Sequence, residues 1–155
     1  MIPVKEVMTR DVISFREDTS VQEIAETLTS RHITGAPVVA EDGFVVGIVS
    51  EVDVFSKKGQ NAKDIMSPHV ISVTQDTGID EVARLLAGER IRRVPVLAGG
   101  KMVGLVSRSD VLEVFSRTHW TCETCGWTQR GLDRPANCES CGGTGFRLEF
   151  GSPGT

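Results

Sequence analysis

No apolar stretch in the 155-residue chain approaches the roughly 20 residues that a membrane-spanning helix needs. The N-terminal run MIPVKEVMTR also lacks the apolar core of a secretory leader, which makes the cytoplasm the expected compartment. An excess of positive charge is missing as well. With a formal net charge of -4 the chain has no overall footprint of a nucleic-acid or anionic-membrane binder, so any anion site must be local. Cysteine is absent until Cys122, and all four cysteines lie between there and Cys141. In a reducing compartment such clustering favours metal ligation over a disulfide framework. No motif brings a nucleophile, a base and an orienting group together, which leaves hydrolase or transferase chemistry without support and marks the chain as a non-enzyme. What is present, 39% hydrophobic and 25% charged residues, is the composition of an ordinary globular protein.

Much of what is present occurs twice. GIVSEVD, from Gly47 to Asp53, returns as GLVSRSD, from Gly104 to Asp110. Shifting the chain by about 58 positions against itself places Lys5, Met8, Ile13, Asp18, Thr19, Glu23 and Ala25 on Lys63, Met66, Ile71, Asp76, Thr77, Glu81 and Ala83. The shift drops by one after the turns EDG and GG, where a hairpin loop changes length without disturbing its strands. Residues 1–58 and 59–116 are therefore two copies of one unit. Composition then changes: Trp120, Trp127 and every cysteine fall in a separate segment, 117–150, and the tail GSPGT, 151–155, carries no packing residues and is expected to be flexible.

Each copy reads as strand, helix, strand, strand, helix. VISF and VISV are short β-prone runs, and Val21, Ile24, Ala25, Leu28 and their counterparts Ile79, Val82, Ala83, Leu86 recur at the spacing of one helix face. Ser20 with Glu23 fits a capping box, with Gly78 in the equivalent slot of the second copy. APVV with VVGIV, and VPVL with MVGLV, read as hairpins of buried strands. A helix follows Ser50 and another follows Ser107, the latter with Val111, Leu112, Val114 and Phe115 on its apolar side. A unit of under 60 residues buries a marginal core alone, so two are expected to pack together.

Ser50 with Asp53, and Ser107 with Asp110, place a hydroxyl and a carboxylate on the first turn of a helix. There the backbone N–H groups and the dipole favour anionic or hydroxyl-rich ligands, and an ionised carboxylate suits the two hydroxyls of a ribose. Ser-x-x-acid spacing also arises from capping alone. The whole doubled stretch, MTRDVISFREDTSVQEIAETLTSRHITGAPVVAEDGFVVGIVSEVDV and its partner, resembles tandem CBS domains, the modules named after cystathionine β-synthase. The resemblance implies an α+β fold of two βαββα repeats packed as one module. It also implies frequent homodimerisation, regulation of a partner, and binding of AMP, ADP, ATP or S-adenosylmethionine. Carried over residue by residue, it assigns ribose and phosphate contacts to Ser50, Asp53, Ser107 and Asp110, and phosphate contacts to Arg92 and Arg93. Thr34 and Gly35 stand in the first copy where Arg92 and Arg93 stand in the second, so the copies are not equivalent. Backbone groups around Pro37 and Pro95 would flank an adenine edge. A solvated basic strip is the plain alternative for the arginines. His32 and His69 read as surface residues.

CETCGWTQRGLDRPANCESCG is C-x2-C-x12-C-x2-C, with Gly126 and Gly142 directly after the pairs. Two such knuckles bring Cys122, Cys125, Cys138 and Cys141 into a tetrahedron around a metal, with the glycines allowing the tight turn. Trp120, Trp127, Phe146 and Phe150 are the expected small core, and His119 is a spare rather than a ligand. The segment resembles a zinc ribbon and, in spacing and in CGW followed by Pro135, the rubredoxin-like domain of rubrerythrins. Zinc is the preferred metal and iron the alternative, because four thiolates accept either. From 117 to 155 there are four Arg, no Lys and four acidic residues, which argues against a nucleic-acid role. The sequence thus points to an adenine-nucleotide sensor carrying a metal ribbon that stabilises it or contacts an unidentified protein partner. The alternatives are an iron electron-transfer protein and a nucleic-acid-binding regulator.

Overall fold

The computed structural model describes residues 2–151, so most of the expected flexible tail, 152–155, lies outside the described residues. The elements are α1 (Val21–Arg31), β1 (Gly35–Val39), β2 (Val45–Ser50), α2 (Glu51–Ser56), α3 (Ala62–Ile65), β3 (Val73–Thr74) and α4 (Ile79–Gly88). They continue with β4 (Arg93–Ala98), β5 (Lys101–Ser107), α5 (Arg108–Arg117), β6 (Thr118–Cys122), β7 (Thr128–Gln129) and β8 (Phe146–Phe150). No helix among the described residues is long and apolar enough to cross a membrane.

The compact units of the fold are not the repeats of the sequence. One unit takes Met1–Met8, Asp76–Arg93 and Val106–Thr155; the other takes Thr9–Gln75 and Val94–Leu105. In the first, the 3-10 turn Val4–Glu6 opens copy one yet is bonded to the start of copy two's helix: the Val4 N–H donates to Thr77 O at 2.7 Å and the Ile79 N–H to Ile2 O at 2.9 Å. In the second the exchange is reciprocal. The Val21 N–H donates to Gln60 O at 3.0 Å and the Ala62 N–H to Thr19 O at 2.9 Å, which ties α3, from copy two, to the start of α1. The same unit pairs Thr9 with Leu105 and Ser67 with Ile48, so each copy lends its opening residues to the other's last strand.

The exchange gives a reason for Gly47. A Cβ on Gly47 would stand 2.5 Å from Met66 Sδ and 2.9 Å from Ser67 O, so only a residue without a side chain lets copy two's opening segment cross β2. Around that crossing Ile24, Val38, Val49, Ala62 and Ile65 are fully buried, with Phe15 and Leu28 beside them.

The helix periodicity is realised: Ile24 and Leu28 of α1, and Ile79, Val82 and Leu86 of α4, are buried. Ser20 caps α1 by accepting from the Glu23 N–H at 3.1 Å, and Gly78 precedes α4 with no side-chain cap. The opening strands are shorter than expected. Of VISF only Phe15 engages, donating its N–H to Pro37 O and accepting from the Val39 N–H, and of VISV only Val73 continues into a two-residue strand parallel to β4. In each run the bonded residue is the buried one, so the ladder extends no further than the packing does.

Within the first unit the C-terminal segment is an antiparallel sheet in the order β7-β6-β8. Its core differs from the expectation. Trp120 and Phe146 are buried, but Trp127 is 46% and Phe150 70% exposed; the places assigned to them are filled by Cys122 and Cys138. Along α5 Val111 is buried and Val114 half-buried, whereas Leu112 is 66% exposed and Phe115 lies at the surface. His32 and His69 are exposed, His32 closing α1 with a left-handed φ of 55°.

Candidate functional site: paired helix starts and a four-cysteine tetrad

The Ser-x-x-Asp phrases form the same local structure twice. Asp53 Oδ2 accepts from the Ser50 N–H at 2.9 Å and the Ser50 hydroxyl at 3.1 Å, while Ser50 Oγ accepts from the Asp53 N–H at 3.3 Å. Ser107 and Asp110 repeat these bonds at 2.8, 3.0 and 3.4 Å. Both are reciprocal capping boxes, so the capping role is realised in each copy and each carboxylate is held at a fixed angle by two donors. Thr34 and Arg92 also play equivalent parts: Thr34 O accepts from the Glu51 N–H at 2.9 Å, and Arg92 O accepts from the Arg108 N–H at 3.1 Å. Gly35 lies directly across the ladder from Ser50. The structure thus gathers Thr34, Ser50 and Asp53 at one helix start and Arg92, Ser107 and Asp110 at the other, with Arg93 next to Arg92. Pro37 and Pro95 are fully buried, and the Pro37 carbonyl already accepts from the Phe15 N–H at 2.9 Å.

The surroundings of the two boxes differ. Asp53 Oδ1 is paired with Lys57 Nζ at 2.8 Å across a helix of six residues. Asp110 faces a cavity of about 330 Å³, bounded by Ile2, Glu6 and Val7 of the N-terminal turn, by Glu113, Val114 and Arg117 further along α5, and by Thr118 and Phe150 of the C-terminal sheet. Neither Arg92 nor Arg93 is among its described lining residues. A larger hollow of about 880 Å³ in the other unit, between Arg16–Asp18 and Val39–Asp42, contains none of the predicted site residues.

The four sulfurs of Cys122, Cys125, Cys138 and Cys141 all lie within 4.8 Å of one another, and none is in a disulfide. Cys122 and Cys141 Sγ are 3.7 Å apart and Cys125 and Cys138 Sγ 3.6 Å. A tetrahedron with metal–sulfur bonds of about 2.3 Å has edges of about 3.8 Å, so the donor set fits a thiolate-bound metal. The knuckles are alike. Gly126 and Gly142 have φ of 79° and 77°, and donate their N–H groups to Cys122 O and Cys138 O at 2.9 and 2.8 Å. The Gly143 N–H reaches Cys141 Sγ at 3.3 Å. Backbone N–H groups of Cys125 and Thr124 lower the Cys122 thiol to about 6. At Cys141 the Gly143 N–H pulls the same way, but the nearby Cys125, Cys122 and Cys138 together with burial push the thiol up to about 12. Four thiolates cannot all be charged in one another's company without a cation among them.

His119 is not a ligand. It is buried between Gly151 O, 3.1 Å from Nδ1, and Glu149 Oε2, 3.2 Å from Nε2. Sequence reasoning passed over Arg130, whose Nη1 donates to the carbonyls of Phe115, Ser116 and Thr118 at 3.1–3.2 Å and so closes the C-terminal end of α5. Arg84, bonded to Asp133 at 2.7 Å, ties α4 to the same loop. A lone Arg in a loop carries no pattern that would reveal such a contact.

This doubled fold matches known proteins. The CBS domain family model matches residues 4–58 and 62–117, and the chain belongs to that family as a tandem pair of mixed α+β CBS domains. An uncharacterised protein of Methanocaldococcus jannaschii is 29% identical over 73% of this chain and 42% of its own length. CBSX2 of Arabidopsis thaliana, solved in complex with AMP, is similar at 29% identity and a TM-score of 0.70, over 73% of this chain and 95% of that one. The CBS domain pair of protein MJ0100, solved with 5′-methylthioadenosine and S-adenosyl-L-methionine, is similar at 28% identity and 0.69, over 75% and 97%. The chain spans between 22% and 62% of the length of the first curated relatives, among them an inosine-5′-monophosphate dehydrogenase of Thermoplasma acidophilum. The family match ends at residue 117, before the tetrad.

Proposed function

We propose that this chain is a non-catalytic sensor that binds an adenosine-containing small molecule at the helix starts of its CBS pair, with Ser107 and Asp110 as the principal grip and Ser50 and Asp53 as their counterpart. One observation carries the reading: a carboxylate held rigidly by its own capping box faces a ligand-sized cavity. The AMP, methylthioadenosine and S-adenosylmethionine seen in similar CBS pairs support adenosine as the common element. Thr34 and Arg92 bond the two helix starts through their carbonyls with Arg93 alongside, and in this reading backbone groups around Pro37 and Pro95 flank the adenine edge. The four cysteines hold a structural zinc ion, which supplies the positive charge that lets all four sulfurs remain thiolates; the same tetrad also suits iron and electron transfer. The exposed Leu112 beside the apolar groove between α4 and α5 gives a second copy a surface to cover, as in a homodimer.

In a thermal-denaturation titration, millimolar AMP, ATP or S-adenosylmethionine raises Tm by mass action. Asp110→Ala removes most of that rise and, through loss of its half of the capping box, about 1 kcal/mol of stability. A Tm unmoved by every adenosine ligand overturns the proposal.

A further inference from the structure

We propose that Phe150, contributed by the four-cysteine segment, is the aromatic wall of the Asp110 cavity, and that this cavity takes an adenosine-type nucleoside without a phosphate chain. The inference rests on the adenosine reading above and adds to it the part played by the C-terminal sheet and the class of ligand selected.

Phe150 is the last residue of β8 and 70% exposed, a position that costs an apolar ring its burial and offers no return from the sheet's own core. It is nonetheless held firmly. It sits opposite Thr118 in the ladder, and the next residue, Gly151, donates its N–H to Arg117 O at 2.6 Å. Buried His119, which the metal tetrad does not use, grips both sides of it through Gly151 O and Glu149. The facing helix is equally fixed, its start by the Ser107–Asp110 box and its end by the three carbonyl bonds of Arg130. A ring on rigid backbone that lines the same cavity as a carboxylate can stack on a purine while the carboxylate takes the ribose diol.

Charge then selects among adenosine ligands. The cavity presents three carboxylates, Glu6, Asp110 and Glu113, against one guanidinium, Arg117, which already pairs with Glu113 at 2.7 Å. Such walls repel a polyphosphate and accept an uncharged nucleoside or a cationic sulfonium.

Calorimetric titration of the full metal-loaded chain with adenosine, S-adenosylmethionine and ATP tests this. Adenosine and S-adenosylmethionine are expected to bind more tightly than ATP. Phe150→Ala should weaken adenosine binding by about tenfold, Phe150→Trp should keep it, and circular dichroism should show all variants folded, as expected for an exposed side chain. Equal adenosine affinity in the wild type and Phe150→Ala, with Asp110→Ala still abolishing binding, overturns the aromatic wall and leaves the adenosine reading standing. Tighter binding of ATP overturns the charge selection. A wild-type chain that binds none of the three removes both.

Discussion

The apolar core around β1 and β2 and the sheet that carries the cysteines are held together by different physics. In the former, Ile24, Val38, Val49 and Ile65 are wholly removed from water, and each such side chain contributes roughly 1.5–3 kcal/mol. In the latter the buried set is Trp120, Phe146 and two of the four cysteines, with Leu148 beside them, while Trp127 and Phe150 stay in solvent. A region with so little apolar surface to bury gains most from the coordination proposed for its four cysteines. With the proposed metal in the tetrad, one chain contains a part that side-chain packing stabilises and a part that coordination stabilises, and the two respond to different perturbations.

The sharpest way to separate them is to remove the metal. Chelation, or Cys138→Ser, is expected to melt β6, β7 and β8 outright, since structural thiolate sites contribute apparent free energies of about 10–16 kcal/mol. Fluorescence of Trp120, buried and bonded from Nε1 to Gly131 O at 3.0 Å, reports that loss. Hydrogen exchange at Ile24, Val38 and Val49 should remain slow. A C-terminal sheet that keeps its native fluorescence without metal would erase the distinction. Metal analysis of the same preparation separates zinc from iron, a colourless protein supporting the first and ferric thiolate absorption the second.

A smaller effect probes the packed region. Gly47→Ala places a methyl group against Met66 and the Ser67 carbonyl and should destabilise the chain by about 1–3 kcal/mol, whereas Gly88→Ala, with nothing within 4 Å of the new atom, should be neutral or slightly stabilising. Urea unfolding of the two variants measures both, and equal midpoints would show that the crossing at Gly47 is not close-packed.

These two regions also differ in how far they could be read from sequence. The doubled pattern was legible because helix faces repeat at a fixed spacing, and Ile24, Leu28, Ile79, Val82 and Leu86 are buried as that spacing requires. The reciprocal exchange was not: Thr9 with Leu105 and Ser67 with Ile48 are contacts between copies, and a self-alignment shows only likeness within them. Its trace was nevertheless present, in a glycine kept inside each VGIV-type strand, where backbone approaching backbone is the usual reason. The clustering of the four cysteines was legible from spacing alone. The small core was not, because composition cannot show that cysteines fill the places expected of Trp127 and Phe150. At the candidate ligand site the Ser-x-x-Asp pairs were visible, but the cavity at Asp110 is built partly from Ile2 and Phe150, residues far apart in the sequence.

Acid should produce the smallest difference, again confined to the C-terminal sheet. The Arg147 guanidinium, followed by the Thr121 hydroxyl and with a lesser contribution from His119, holds the Glu149 carboxyl below its ordinary value of 4.5. A folded pKa below the unfolded one means that the carboxylate's contribution is complete above about pH 4.5 and drains away as pH falls through the lower, folded value. Glu149→Gln should therefore lower the Tm modestly at pH 7 and by less near pH 4, where the contribution has begun to drain away, because only the ionised form accepts from Arg147, Thr121 and His119 at once. If the difference between variant and wild type is the same at both pH values, those donors do not favour the charged carboxylate, and β8 is held by its backbone ladder alone.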